Sequence, residues 1–293
     1  MKKISISSWA IPQPLDELCA GAKKIGYDGI SLGGFPPFGA HPDIVDTPEK
    51  KAALVKIFKD NGLEVADFAL DMWKYDSLKQ TAEWRAEYSR ALKCAAELGL
   101  TKIMRVDTCT PPILPEGMSY DDVKQFFVKH FKEMAKEAAG YGFDVVWEFE
   151  PGFIINEPKN VLWLVDAVNE PNFSLLFDTC HADNCALGHR HIEEGCKLEG
   201  SVLEFIELVK GRIGLVHLID SDGTLNETGT STHAPFGDGH INFDEVVPAL
   251  LDVGGYKGEW WAIDLCEWPD AWAVTEDCFK FVDALNKKYC KNC

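Results

Sequence analysis

The stretch Ile25-Gly26-Tyr27-Asp28-Gly29-Ile30-Ser31-Leu32 decides the fold. Ahead of it, Leu15, Leu18, Cys19, Ala22 and Ile25 recur at helical spacing, and after Gly26 the chain turns β-rich. A glycine at such a junction takes the left-handed conformation that ends a helix and swings the chain into a strand. The same junction returns at Gly62 in NGLEVADF, Gly99 in LGLTKIMR, Gly142 in YGFDVVWE, Gly211 in KGRIGLVH and Gly255 in GGYKGEWW. Before the sixth strand Asn169-Glu170-Pro171-Asn172 serves as the breaker. Thr47-Pro48 reads as an N-cap followed by proline at the first helical position.

Strands are predicted over 4–9, 28–33, 63–70, 101–107, 144–150, 173–179, 213–219 and 259–265. Units of roughly 30–45 residues suit one strand plus one helix. Eight of them, with no Gly/Ser/Pro-rich linker between, predict a single-domain (β/α)8 TIM barrel over 1–293. A doubly wound open sheet is the structural alternative. It would ordinarily carry a glycine-rich phosphate loop after the first strand, and Trp9-Ala10-Ile11-Pro12-Gln13 is not one.

Composition narrows the function. The formal charge is −18 with no run of Lys and Arg, so a polyanion such as DNA is repelled and nucleic acid is a poor partner. No apolar run is long enough for a secretory signal or a membrane span, and ten scattered cysteines in so long a chain read as reduced thiols. The reading is cytoplasmic, with no membrane partner. Cys290-Lys291-Asn292-Cys293 is a lone CxxC, read as exposed thiols at a frayed end.

In a barrel, catalytic residues belong at the C-terminal ends of the strands. The fifth strand ends Val146-Trp147-Glu148-Phe149-Glu150, and period-two alternation puts Glu148 and Glu150 on one face. Glu150 reaches furthest toward the mouth, whereas Glu148 suits an ion pair with Arg105 of the fourth strand. The sixth ends Asp178-Thr179-Cys180-His181, an acid closing an apolar strand with a histidine leaving on the loop. His217 lies in the last third of the seventh. Taken alone it is a core histidine; it gains weight as a third polar site at equivalent depth. Asp264 shares the inner face of the eighth strand with Ala262, with Glu267 as fallback. Asp220 is placed to orient a ligand from behind. The loop ending Ser231-Thr232-His233-Ala234-Pro235-Phe236-Gly237-Asp238-Gly239-His240 is expected to fold over the mouth and bring His233 or His240 near substrate. His189 and His191 fit a solvated loop as well as a site, and His130 lies in a predicted helix. One Glu, two Asp and one His make a mixed oxygen and nitrogen set that suits one divalent metal ion, Mn²⁺ or Mg²⁺ first, with Co²⁺ or Zn²⁺ open.

Glu150, Asp178-x-x-His181, His217 and an acid on the eighth strand, in that order, resemble the xylose-isomerase-like barrel superfamily. That group includes sugar phosphate isomerases and epimerases, ketose 3-epimerases and inosose dehydratases. The phrases HAPFGDGHINF and GGYKGEWWAID strengthen the resemblance, which spans all eight units. It implies a metal held by Glu150, Asp178, His217 and Asp264, with His181 on a substrate oxygen. It also implies chemistry in which the metal polarises a carbonyl and its neighbouring hydroxyl while a carboxylate, Glu150, removes the proton between them. His181, His233, Glu148 and Arg105 are the expected substrate contacts.

The sequence departs from the family at Asp264, where epimerases commonly have a Glu that serves as a second base. That weakens two-base epimerisation and leaves isomerisation, or β-elimination from a keto-sugar or 3-oxo-glycoside, as the alternative. A DNA-repair endonuclease shares the barrel, but it needs more metal-binding histidines and a basic surface. A non-catalytic accessory barrel would bind no metal. Members of the family often form dimers or tetramers, so a homo-oligomer or a subunit role is open. The absence of a Lys/Arg cluster at the strand ends points to an unphosphorylated sugar or polyol.

Overall fold

The computed structural model describes residues 1–36, 39–70 and 72–291. Eight parallel strands close into a barrel: β1 (Lys3–Ser7), β2 (Gly29–Gly34), β3 (Glu64–Leu70), β4 (Ile103–Val106), β5 (Asp144–Glu148), β6 (Phe173–Asp178), β7 (Ile213–Leu218) and β10 (Trp260–Ile263). β1 pairs with β2 on one side and β10 on the other, which closes the ring. The helices are α1 (Leu15–Ile25), α2 (Pro48–Asn61), α3 (Thr81–Leu98), α4 (Tyr120–Ala139), α5 (Pro158–Val168), α6 (Thr179–Leu187), α7 (Ser201–Leu208), α8 (Phe243–Pro248) and α9 (Ala271–Tyr289). None of the described helices is long and apolar enough to cross a membrane.

The junction glycines behave as their spacing predicts. Gly26, Gly62, Gly99, Gly142, Gly211 and Gly255 all have positive φ, and Asn169, the breaker before β6, has φ 47°. Asparagine tolerates that region better than other side chains do. Thr47 caps α2, its hydroxyl accepting from Lys50 N with Pro48 next in line.

Two cores follow from the strand alternation. The larger lies between the sheet and the helices. The smaller plugs the barrel interior with Ala66, Val146, Leu176, Leu215 and Trp260. At the ring closure, Asn286 of α9 uses its side-chain amide to bond both Lys2 N (3.0 Å) and Lys2 O (2.7 Å), latching the first strand to the last helix.

The structure corrects several boundaries. β5 ends at Glu148, two residues before the predicted end, because Pro151 has no N–H for a ladder and Phe153 N turns back onto Glu150 O. β4 and β10 are likewise shorter than the runs 101–107 and 259–265. His181 leaves β6 not on a loop but in the first turn of α6, which starts directly at Thr179. The segment after β7 is an antiparallel hairpin, β8 (Asp220–Leu225) and β9 (Ser231–Ala234), rather than a structureless loop. Cys290 is fully buried, not frayed, and Cys293 lies outside the described residues.

Candidate metal centre

Four strand ends converge. Val146, Leu176, Leu215 and Ala262 fill the interior, and two residues further along each strand stand Glu148, Asp178, His217 and Asp264. Register sets Asp178 beside His217, and His217 beside Ala262. One donor atom from each of Glu148, Asp178, His217 and Asp264 lies within 4.8 Å of all the others, and all four side chains are buried. His217 Nδ1 is 3.3 Å from Glu148 Oε1, 3.4 Å from Asp264 Oδ2 and 3.6 Å from Asp178 Oδ2.

The neighbours orient this group. Asp178 caps α6, its Oδ1 accepting from Cys180 N (2.8 Å) and His181 N (2.9 Å), so Oδ2 is left facing the cluster. Trp9 Nε1 donates to both oxygens of Asp264, at 3.0 and 3.2 Å. Arg105 pairs with Glu148 Oε2, and its guanidinium lies 5.2 Å from the Trp9 ring centroid and 5.5 Å from that of Trp73. Trp73 in turn donates to Asp107 Oδ2 at 2.7 Å.

What is left over is informative. Glu148 Oε1, Asp178 Oδ2 and both His217 nitrogens are buried without a hydrogen bond of acceptable geometry, while Glu148 Oε2 has only its ion pair with Arg105. Unsatisfied buried polar atoms are costly, and native folds keep few of them. Oxygen donors plus one imidazole nitrogen, gathered and unsatisfied, fit a divalent cation.

The electrostatics agree. Burial opposes charge on every member. For Glu148 it is outweighed by Arg105 and His217, and for Asp264 by His217 and His233, so both carboxyls sit below the usual range. Asp178 is held low in the same way, by His233, His181 and His217. Burial likewise works against a charged His217, but Asp178, Asp264 and Glu148 together lift it well above an ordinary histidine. The three carboxylates thus favour the charged form of His217 beneath the mouth.

Glu150 stands apart from this group. It projects from the chain after β5, its Oε2 accepting from Thr230 Oγ1 of the hairpin (2.6 Å) and lying 3.4 Å from His181 Nε2. Gly152 makes this possible, since a Cβ there would meet Glu150 Oε1 at 2.5 Å. Burial pushes the Glu150 carboxyl up to about 8, and it pushes His181 down to about 4. His181 Nδ1 is 2.9 Å from Ser231 Oγ. His233 is buried, with its ring centroid 4.7 Å from that of His181, and neither of its nitrogens has a hydrogen-bond partner. With Asp178 and His181 it forms a second group of metal-ligand type, and with Asp264 and Cys266 a third.

The other sequence candidates fall elsewhere. His240 is half exposed and pairs with Asp183 at 3.0 Å. His189 and His191 bond the backbone carbonyls of Gly223 and Cys185. His130 contacts Arg85, and Glu267 is held by Asn226 and Thr228. Asp220 accepts from the backbone N–H groups of Ser221, Gly237, Gly239 and Ile241, so it shapes the loop and touches no member of the cluster. Sequence reading missed Trp9, Trp73 and Thr230. Trp9 stands two residues past the end of β1, and that position was the one signal that could have found it.

Above the cluster opens a cavity of about 860 Å³, walled by residues that include Trp9, Phe35, Trp73, Phe153, Trp268 and Trp272, with Arg105, Glu150 and Thr230 also in its lining. A family model described as xylose isomerase-like TIM barrel matches residues 19–278. The chain belongs to that family.

Among curated relatives of the family fold, the 2-oxo-tetronate isomerase of Haemophilus influenzae is 21% identical over 184 residues, 60% of this chain and 61% of that protein. An uncharacterized protein of Methanocaldococcus jannaschii is 28% identical over 130 residues, 43% of this chain and 38% of that one. The chain thus spans less than two thirds of the curated relatives it matches. Solved structures share the barrel across nearly its whole length. An IOLI protein with a bound zinc atom has TM-score 0.74, 19% identity and 98% and 99% coverage of the two chains. D-psicose 3-epimerase with D-tagatose from Clostridium cellulolyticum H10 has TM-score 0.73, 17% identity and 97% and 99% coverage. The 3-keto-D-glucoside 4-epimerase of E. coli has TM-score 0.70, 17% identity and 97% and 100% coverage.

Proposed function

We propose that this barrel is a divalent-metal-dependent enzyme that abstracts a proton next to the carbonyl of a sugar or polyol ketone, with an isomerase or epimerase outcome. The observation that carries the reading is the buried donor set of Glu148, Asp178, His217 and Asp264 at the strand ends, in which Glu148 Oε1, Asp178 Oδ2 and both His217 nitrogens have no hydrogen-bond partner. These four would hold the ion, with Glu148 in the place the sequence resemblance gave to Glu150. When bound, a divalent cation supplies positive charge to an oxygen that becomes anionic as the proton leaves. Manganese or magnesium suits so oxygen-rich a set, and the zinc of the IOLI structure keeps zinc open.

The chain's own residues then divide the proton work. His181, neutral because burial disfavours its charge, can accept a proton through Nε2. Glu150, kept protonated near neutral pH by its burial, can return one, and Thr230 fixes its orientation. Arg105 neutralises Glu148 and lines the cavity floor, where a sugar oxygen can reach it. His233, with both nitrogens uncommitted, is the further substrate contact.

A lyase is the second reading, favoured by one specific observation. Glu150 and His181 place an acid beside a base, and Asp264 is spent on Trp9 rather than aimed at the mouth. Such a pair can protonate a leaving group in β-elimination. Incubation of metal-loaded protein with keto-sugars in deuterated water separates the two. Deuterium in recovered ketose supports isomerase or epimerase chemistry, and an ultraviolet-absorbing unsaturated product supports the lyase. Neither signal on any ketose, or a folded protein that binds no divalent ion, would overturn the proposal.

A further inference from the structure

The cavity above the site is larger and more apolar than a single sugar ring requires, and its walls have a particular chemistry. A pocket of about 860 Å³ lies toward the upper end of those that enclose whole drug-sized molecules. Three of its aromatic residues, Trp9, Phe35 and Trp73, come from the β1–β3 side. Phe153 follows β5, and Trp268 and Trp272 follow β10. Because β10, β1, β2 and β3 are neighbours in the ring, five of these residues line one contiguous arc of the opening and Phe153 stands on the opposite, β5 side.

These rings offer faces rather than hydrogen bonds. The indole N–H groups of Trp9 and Trp73 are spent on the buried carboxylates Asp264 and Asp107. Four polar groups of the wall are paired with one another, Thr228 Oγ1 donating to Glu267 Oε2 and Thr230 Oγ1 to Glu150 Oε2. A second sugar unit could also lay its C–H face on such a ring, but its hydroxyls would then need directed partners around its edge. A planar aromatic group needs ring faces, which prefer offset or edge contacts with one another.

We infer that the natural substrate carries an aryl group joined to its sugar, with the sugar over the metal cluster and the aryl group between the aromatic walls. This rests on the sugar-ketone reading above and adds the class of its substituent.

The test is calorimetry on the full-length, Mn²⁺-loaded protein with three probes: 4-nitrophenyl β-D-glucopyranoside, methyl β-D-glucopyranoside and 4-nitrophenol. The expected result is at least about tenfold tighter binding of the aryl than the methyl glycoside, with 4-nitrophenol alone binding and competing for the same cavity. Trp268→Ala should cut the aryl-to-methyl ratio severalfold. Phe153→Leu, which keeps the bulk and loses the ring, provides the same readout if the first variant does not fold. Equal affinity for the two glycosides, no binding of 4-nitrophenol, or a ratio unmoved in the folded variant overturns the inference. Its failure is distinct from failure of the metal reading: the latter appears as missing stoichiometric metal, whatever the aryl preference.

Discussion

The two halves of the barrel interior differ by only two residues along each strand, yet they are opposite materials. Lower down, Val146, Leu176 and Leu215 meet in a dry apolar plug; one step up the same faces carry Glu148, Asp178 and His217. The plug satisfies itself by contact alone. The upper layer keeps particular buried atoms without a hydrogen-bond partner, Glu148 Oε1, Asp178 Oδ2 and both His217 nitrogens. The contrast separates the part of the barrel that holds the fold from the part held ready for a ligand.

Substitutions one step apart can break that division. Asp178→Ala should abolish metal binding, a loss beyond the roughly 100-fold that removing an outer partner costs. Metal content after dialysis reads it, and retained stoichiometric metal would refute the ligand set. Leu215→Ala, one step below His217, should cost about 2–5 kcal/mol in denaturant unfolding. If the layers are separate, its metal affinity stays within a few-fold of the parent's. Trp9→Phe removes the N–H that holds Asp264 and should weaken metal binding about 10- to 100-fold with little change in stability. An unaltered affinity would mean that Asp264 needs no such support.

A smaller effect comes through pH. His217 is raised by its three carboxylates, so metal loading must expel its proton, and affinity should climb about tenfold per pH unit below the raised value. In the chelated protein the same group stabilises the fold fully below about 6.5, and that contribution is lost as pH rises through the raised value. Chelated protein should therefore lose more stability than loaded protein on the alkaline side. Paired melting curves from pH 6 upward check this, and identical slopes would contradict it.

The smallest expected change separates two neighbouring glutamates. Glu150→Gln should leave metal affinity within a few-fold, whereas Glu148→Gln should weaken it strongly. Glu150 is raised to about 8, so the fold favours its neutral form. Its stabilising contribution is complete below about 4.3 and is lost as pH rises through about 8. Glu150→Gln should remove that slope from the chelated protein. A metal loss on Glu150→Gln equal to that on Glu148→Gln would return Glu150 to the ligand set.

The confusion between these two residues shows where sequence stops being legible. Period-two alternation gives Glu148 and Glu150 one face only while the strand lasts, and where it ends depends on Pro151 and on which neighbour still pairs. The junction glycines were legible because positive φ is a local demand that few residues meet. Asp178 could be picked out because it closes an apolar run, and His217 and Asp264 because each interrupts one at the same depth. The bonds Trp9–Asp264 and Thr230–Glu150 join residues 255 and 80 positions apart, and no local pattern announces them. The hairpin was hidden for a different reason: Asp220-Ser221-Asp222-Gly223 has the composition of a turn, although its backbone pairs with Ser231–Ala234.

The closing seam has one more consequence. Asp264 comes from just beyond β10, the strand that completes the ring, and Trp9 reaches it from the far side of that seam, at the end of β1 opposite to the Asn286 latch. While a ribosome is still extending the protein, Glu148, Asp178 and His217 emerge well before the fourth carboxylate. Only a closed ring brings the four donors together. The order of the polypeptide thus leaves the proposed donor set incomplete until the last strand has closed the ring.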